Sequence, residues 1–125
     1  MTDAMADTSS PRALMRAFTD RVHAGDLDGL VGLYEPLAVF EPRPGVVVHG
    51  RDAIREALGA LLALRPRMIA KVVQVLEADD VALVVNEWNL TGTAPDGSEV
   101  HQGGRSADVV RRQPDGSWLV LVDKP

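Results

Sequence analysis

The chain has 125 residues, of which 46% are hydrophobic and 25% charged, and its formal net charge is −5. This size and composition predict a single globular domain. The acidic balance excludes the basic surface that nucleic acid or anionic lipid would need, and the absence of cysteine excludes disulfides and thiolate chemistry.

The N-terminus shows no targeting signal. Residues 1–8 are polar and acidic and lack the apolar core of a signal peptide. No stretch of the chain reaches the ~20 apolar residues of a membrane span. We therefore expect a cytoplasmic protein without a membrane partner, in which residues 1–8 are disordered and residues 9–125 form the domain.

The chain opens with helical periodicity. Ser10 precedes Pro11 as at a capped helix start, and apolar residues then recur every fourth position until Gly25 ends the helix. Asp26 can cap a second, shorter helix whose apolar face extends to Tyr34.

A short hairpin and a third helix follow. Residues 37–41 and 46–49 predict two short strands around the turn at 42–45, which contains two prolines and a glycine. Gly50 then opens the most strongly amphipathic helix of the chain, which ends near Pro66.

The second half predicts a meander of strands. The predicted strands are residues 68–77, 81–91, 100–112 and 118–123. The last two hairpins share one turn sequence, Pro-Asp-Gly-Ser, at 95–98 and 114–117, in which proline pre-sets φ and glycine takes the positive φ. Helices gathered on one side of an antiparallel sheet predict an α+β fold, often with a pocket between the layers.

The two turns suggest a register for this sheet. They place Val84 opposite Asp108, and Asp108 opposite Val122, so even-numbered side chains share one face. That face holds Val84, Asn86, Trp88, Leu90, Gln102, Ser106, Asp108, Val110, Trp118 and Val120. The other face is also apolar, with Val81, Leu83, Val85, Val109, Leu119 and Leu121. Because three helices cover only one side, we expect a homodimer through the outer sheet face.

The element order resembles the nuclear transport factor 2-like superfamily, with its cone-shaped α+β barrel. The segments that carry the resemblance to its ketosteroid isomerase and SnoaL-like branch are residues 24–30, 33–34, 39–42, 50–55, 105–112 and 115–118. The last two look more like the SnoaL-like members. The resemblance implies three N-terminal helices packed on a curved antiparallel sheet.

The resemblance also implies site residues. Ketosteroid isomerases use a carboxylate base, a tyrosine, and an aspartic acid that stays protonated in its apolar surroundings and stabilises the oxygen of the intermediate. By position, Asp108 matches that aspartic acid and Glu41 the base, within one residue. Phe18 stands at the tyrosine position and has no hydroxyl to donate.

Each site residue has a structural alternative. Asp108 could pair with Arg105 or Arg112, and Glu41 could be a solvated turn residue. Aromatic core packing is the alternative for the predicted substrate-binding aromatics, which are Phe18, Tyr34, Phe40, Trp88 and Trp118. Two polar residues complete the predicted binding set: Ser106, and Asn86, which needs a partner in Asp108 or a ligand.

The histidines, His23, His49 and His101, lie far apart in sequence, so we expect no metal and no cofactor. These residues predict a protein that binds a small hydrophobic molecule. If it is catalytic, we expect isomerisation or cyclisation of a steroid- or polyketide-like substrate by proton transfer next to a carbonyl. A non-catalytic ligand-binding or dimerisation module is the alternative. A third is an epoxide hydrolase-like enzyme, which needs a water-activating Asp-Arg-Asp set.

Overall fold

The computed structural model describes residues 7–125 as three helices on one six-stranded sheet. In chain order the elements are α1 (Pro11–Ala24), α2 (Leu27–Val31), β1 (Tyr34–Arg43), β2 (Val46–His49), α3 (Gly50–Leu62), β3 (Arg67–Ala78), β4 (Val81–Thr93), β5 (Glu99–Arg112) and β6 (Trp118–Lys124). Each predicted helix and strand is present. The α+β architecture of three helices on a curved sheet is confirmed.

The helix ends follow the capping signals. The Ser10 hydroxyl accepts a hydrogen bond from Ala13 N, and Gly25 ends α1 at φ +66°. Asp26 caps α2 through Gly29 N. The apolar face of α2 was expected to extend to Tyr34, but the helix ends at Val31 and Tyr34 begins β1. Pairing of Tyr34 with β6 overrides the local helical pattern there.

The sheet is open and mixed, whereas the sequence suggested a closed, wholly antiparallel one. Its strand order is β2-β1-β6-β5-β4-β3, so β2 and β3 form the two edges and no barrel closes. β1 runs parallel to β6, and the other neighbours are antiparallel. The C-terminal strand therefore lies inside the sheet, between β1 and β5.

The observed strand register matches the register predicted from the two Pro-Asp-Gly-Ser turns, except after one bulge in β6. Val84 pairs with Asp108, and Val110 pairs with Val120, as expected. Leu121 is then an extra residue in β6, so Asp108 faces Asp123 instead of Val122. The bulge changes the parity of β6 and turns the Asp123 side chain toward the helices.

The core lies between the helices and the concave face of the sheet. Its fully buried side chains include Leu14, Leu30, Tyr34, Ile54, Leu58, Val84 and Val110. Most of the segment predicted to be disordered lies outside the described residues, but Thr8 O accepts a hydrogen bond from Trp118 N. Within residues 7–125, none of the helices has both the length and the apolar character needed to cross a membrane.

Candidate functional site

Two aspartates meet on the concave face of the sheet. Asp108 of β5 and Asp123 of β6 are direct partners across the strand pair. Asp108 is only 6% exposed, and its Oδ1 accepts a hydrogen bond from Lys124 N at 3.2 Å. The carboxyl groups are close enough to hydrogen bond to each other, which requires one of them to hold a proton.

The surroundings assign that proton to Asp108. Burial, and then the charge of Asp123, raise the pKa of Asp108 from 3.8 to about 9. Burial also raises the pKa of Asp123, while hydrogen bonds from Asp108 and Tyr34 favour its charged form. The pair therefore presents a neutral acid and a carboxylate side by side, the combination that acid–base chemistry uses.

Tyr34 completes this group. Its hydroxyl donates to Asp123 Oδ2 at 2.5 Å, and its ring is fully buried. Phe18 and Phe40 flank the ring with centroid distances of 6.4 and 6.3 Å. Arg51, in the first turn of α3, fixes the backbone by donating to Tyr34 O at 2.9 and 2.6 Å. Helix, strand and aromatic contacts thus hold the phenol against Asp123.

An amide extends the polar network along β4. Asn86 Nδ2 donates to Ser106 Oγ at 3.0 Å and lies 3.4 Å from Asp108 Oδ2. Asn86 is 5% exposed, yet its Oδ1 has no hydrogen-bond partner among the described residues. The predicted contact of Asn86 with Asp108 is therefore present, and the amide oxygen Oδ1 remains without a partner within residues 7–125.

Trp88 lies two residues further along β4 and on the same face as Asn86. Its indole passes over Gly104 of β5, where a Cβ would lie 3.7 Å from the indole Nε1. That Nε1 atom is buried and has no acceptor within residues 7–125. The residue as a whole is only half-buried, as are Met15 and Phe18 on α1. The concave face is therefore less covered at this end.

The structure does not bring Glu41 to the aspartates. Its side chain lies beside the β1–β2 turn, where it accepts from Lys124 Nζ at 3.0 Å and from Gly45 N at 3.2 Å. Both bonds hold the pKa of Glu41 below its usual range. The neighbouring Phe40 takes the core-facing position of β1, so strand alternation directs Glu41 away from the core.

Trp118 is also apart from the carboxyl pair. It pairs with Arg112, four residues along β5 from Asp108, which corresponds to roughly 13 Å of strand. Its ring is buried in the core, and the Arg112 guanidinium lies 6.0 Å from the ring centroid. The other predicted binding residues, Phe18, Tyr34, Phe40, Asn86, Trp88 and Ser106, all lie on the concave side.

The arginines proposed as alternative partners of Asp108 point elsewhere. Arg112 pairs with Asp80 at 2.6 Å, and Arg105 lies 3.8 Å from Glu87. Within the described part of the chain, no three histidine or acidic side chains cluster as a metal ion would require.

Asp123 is the site residue that the sequence analysis missed. Regular alternation from Trp118 and Val120 turns position 123 outward, and only the extra residue Leu121 reverses it. The nearest sequence signal is the run of aliphatic residues at 119–122. Because this run has no alternation of polar and apolar residues, it does not fix which side chains face the helices.

A shallow hollow of about 500 Å³ lies on the other side of the sheet. Its lining consists of Val73, Gln74, Val85, Arg105, Ser106 and Ala107. Val85 and Ala107 alternate with the inward-facing Val84 and Asp108, so the sheet itself separates this hollow from the carboxyl pair.

Fold and site together define an α+β protein with a pair of carboxyl groups between its helices and its sheet. The family model of the SnoaL-like domain matches residues 15–120, and the chain belongs to this family. No curated protein matches the chain in sequence.

Solved structures of similar fold include a ketosteroid isomerase-like protein from Erwinia carotovora, with TM-score 0.81 and 16% identity, covering 94% of this chain and 92% of that one. A candidate dehydratase of the NTF2-like family from Streptomyces avermitilis has TM-score 0.78 and 22% identity, over 94% and 95% of the two chains. An NTF2-like superfamily protein from Salmonella enterica has TM-score 0.75 and 18% identity, over 89% and 83%. At these identities the likeness establishes the NTF2-like fold.

Proposed function

We propose that this protein binds a hydrophobic small molecule on the concave side of its sheet and transfers a proton next to a carbonyl group, without a cofactor. The reaction would be an isomerisation, an aldol-type cyclisation or a dehydration of a steroid- or polyketide-like substrate. The observation that supports it is the direct pairing of Asp108 with Asp123 on the concave face, which combines a neutral acid with a carboxylate. The relatives named ketosteroid isomerase-like and candidate dehydratase are consistent with such chemistry.

The roles follow from the hydrogen bonds. The Asp123 carboxylate removes a proton from the carbon next to the carbonyl. When substrate binds, the Asp108 proton leaves its hydrogen bond to Asp123 and is donated toward the oxygen on which charge develops, where a donor in a dry site is most effective. The Tyr34 hydroxyl, bound to Asp123 at 2.5 Å, holds the base in place. In this proposal Asp123 takes the role first expected of Glu41, whose side chain points away from the core and pairs with Lys124.

Deuterium exchange tests the chemistry without knowledge of the natural substrate. The probe is 2-tetralone in D₂O, whose CH₂ signals next to the carbonyl are followed by proton NMR. We expect Asp108→Asn and Asp123→Asn each to slow enzyme-dependent exchange by about 10²-fold or more, because a positioned acid or base contributes ~10²–10⁴. Asp20→Asn, the same change at a position of α1 away from the pair, is the matched control. Full exchange in both site variants would refute the proposal.

The second candidate is a non-catalytic ligand-binding module. The unpartnered Asn86 Oδ1 and Trp88 Nε1 favour it, because they offer hydrogen bonds to a ligand whether or not chemistry follows. A wild-type protein that melts at higher temperature with 2-tetralone but exchanges no deuterium would support this alternative. The epoxide hydrolase-like alternative has less support, because Arg105 and Arg112 pair with Glu87 and Asp80 and not with the two aspartates.

We further propose that the outer sheet face joins two copies of this chain. Register places one aliphatic residue from each of five strands side by side across that face. This outer row consists of Leu76, Leu83, Val109, Val122 and Val39. Leu76 and Leu83 are 53% and 38% exposed, and no helix covers them. A continuous apolar row of this kind is typical of an interface.

A further inference from the structure

Two buried polar atoms on the concave face have no partner among residues 7–125. They are the amide oxygen of Asn86, a hydrogen-bond acceptor, and the indole Nε1–H of Trp88, a donor. Buried polar groups are hydrogen-bonded in the great majority of folded proteins, since an unmade bond carries the full cost of desolvation. Two such atoms on one strand and one face therefore require a common explanation.

The protein fixes the direction of both atoms. The Asn86 amide is oriented by its Nδ2, which donates to Ser106 Oγ and lies near Asp108, so Oδ1 points away from the carboxyl pair. The Trp88 indole packs over Gly104, where a Cβ would lie 3.7 Å from the indole Nε1 at ordinary van der Waals distance. Neither atom can turn to a protein partner without losing these contacts.

The surface next to these atoms is partly open. Trp88, Met15 and Phe18 are half-buried and apolar, and Gly104 and Gln102 on β5 are exposed. A molecule entering at this end would contact the indole first and then reach Asn86, next to Asp108. The two residues are adjacent inward-facing positions of β4, roughly 7 Å apart along the strand.

We propose that Asn86 and Trp88 recognise the ligand, which carries a hydroxyl or N–H for Asn86 Oδ1 and a carbonyl or ether oxygen for Trp88 Nε1. The two residues lie roughly 7 Å apart along the backbone of β4, a spacing that suits two groups on one ring compound. The ligand class is therefore a ring compound bearing both a hydroxyl and an oxygen acceptor, such as a hydroxylated aromatic ketone. This inference rests on the proposed function, because it concerns the ligand of the same concave site.

A matched set of four bicyclic probes tests the inference. They are 6-hydroxy-1-tetralone with donor and acceptor, 1-tetralone with the acceptor, 5,6,7,8-tetrahydro-2-naphthol with the donor, and tetralin with neither. The chain has two tryptophans, so proton–nitrogen correlation spectra show two indole signals, and Trp118 serves as the internal reference. We expect the Trp88 indole proton to move downfield with the two ketones only. The hydroxyketone should bind most tightly.

Two variants assign the groups. Trp88→Phe keeps an aromatic ring but removes the N–H, and it should weaken binding of the two ketones by roughly three- to tenfold while sparing the other probes. Asn86→Leu should reduce the affinity of the hydroxyketone to that of plain 1-tetralone. Trp118→Phe is the control for tryptophan loss, because Trp118 lies in the core away from Asn86.

The inference is overturned by an unshifted Trp88 signal in the presence of ketone, or by equal losses for all four probes in Trp88→Phe. Failure of 6-hydroxy-1-tetralone to bind at millimolar concentration would overturn it as well. The proposed chemistry is read separately, through deuterium exchange in the Asp108 and Asp123 variants. Selective binding without deuterium exchange would support the recognition groups and refute the proposed catalysis. Exchange without selective binding would support the catalysis and refute the recognition groups.

Discussion

The Asp108 carboxyl group keeps its proton at neutral pH because burial and the neighbouring Asp123 charge both oppose its ionisation. In the unfolded chain the same group ionises near its usual pKa of 3.8, whereas in the folded chain it does so at about 9. Between these values the folded state holds one more proton than the unfolded state. The free energy of unfolding therefore falls as pH rises through this window, by at most about 1.4 kcal/mol per pH unit.

Replacing Asp108 with Asn should remove this dependence. Asn is neutral at every pH, and its Nδ2 can still donate toward Asp123 while its Oδ1 accepts from Lys124 N. We expect the variant to gain stability relative to wild type, with a difference that grows from about pH 5 to about pH 9. Urea unfolding at several pH values measures it, with Asp20→Asn as the control. Parallel stability curves for wild type and Asp108→Asn would contradict the raised pKa.

Tyr34 stabilises the fold through its bond to Asp123. Tyr34→Phe keeps the packing between Phe18 and Phe40 and removes only the hydroxyl, so the Asp123 carboxylate loses one of its two donors. We expect a loss of about 1–3 kcal/mol in the free energy of unfolding, measured in urea. The same change made in the Asp123→Asn protein should cost less, because the charged acceptor is already absent. An equal cost in both proteins would show that the hydroxyl acts through another contact.

Strand β4 approaches the loop after α3 at a glycine. A Cβ at Gly92 would lie 2.8 Å from Leu64 O, and that carbonyl already accepts a hydrogen bond from Thr93 N at 2.8 Å. Gly92→Ala should therefore destabilise the protein by about 1–3 kcal/mol, because backbone on both sides must move. Gly104→Ala is the control, since its Cβ would make only ordinary contacts at 3.7 Å and beyond. Thermal unfolding of the two variants compares them, and similar melting temperatures would contradict the steric argument.

The helices and strands were predictable because each carries its own local signals. Ser10, Gly25 and Asp26 cap helices through their own atoms, and the two Pro-Asp-Gly-Ser turns set the pairing of Val84 with Asp108. Asp108 was identified as buried for the same reason. The parallel pairing of β1 with β6 has no local signal, because it joins residues far apart in the chain.

Asp123 escaped the sequence analysis for a related reason. A bulge at Leu121 depends on how β6 fits between two strands, and nothing within residues 118–124 marks it. Glu41 was expected at the site from its match to a family position, but hydrogen bonds from Lys124 and Gly45 hold its side chain beside the β1–β2 turn. Asp123, whose orientation depends on how β6 fits between its neighbours, was therefore the member of the carboxyl pair that the sequence did not predict.

Two copies of the chain are expected to associate through the outer row. Leu83→Glu places a charge in the middle of this row and should convert the dimer to a monomer, because a desolvated unpaired charge opposes association. Val47→Glu, at an exposed position of β2 outside the row, is the matched control. Sedimentation velocity of both variants measures the mass. A wild type that sediments as a monomer would refute the outer-face interface.

The position of β6 inside the sheet has a consequence for how the molecule assembles. β1 and β2 on one flank and β3, β4 and β5 on the other are joined in the sheet by this strand alone. Its insertion closes contacts between residues some eighty positions apart, which are slow to form. Asp123 is carried on that same segment, so partly folded intermediates lack half of the acid–base pair. Acquisition of the proposed deuterium-exchange activity during refolding should coincide with the final cooperative step and with no earlier one.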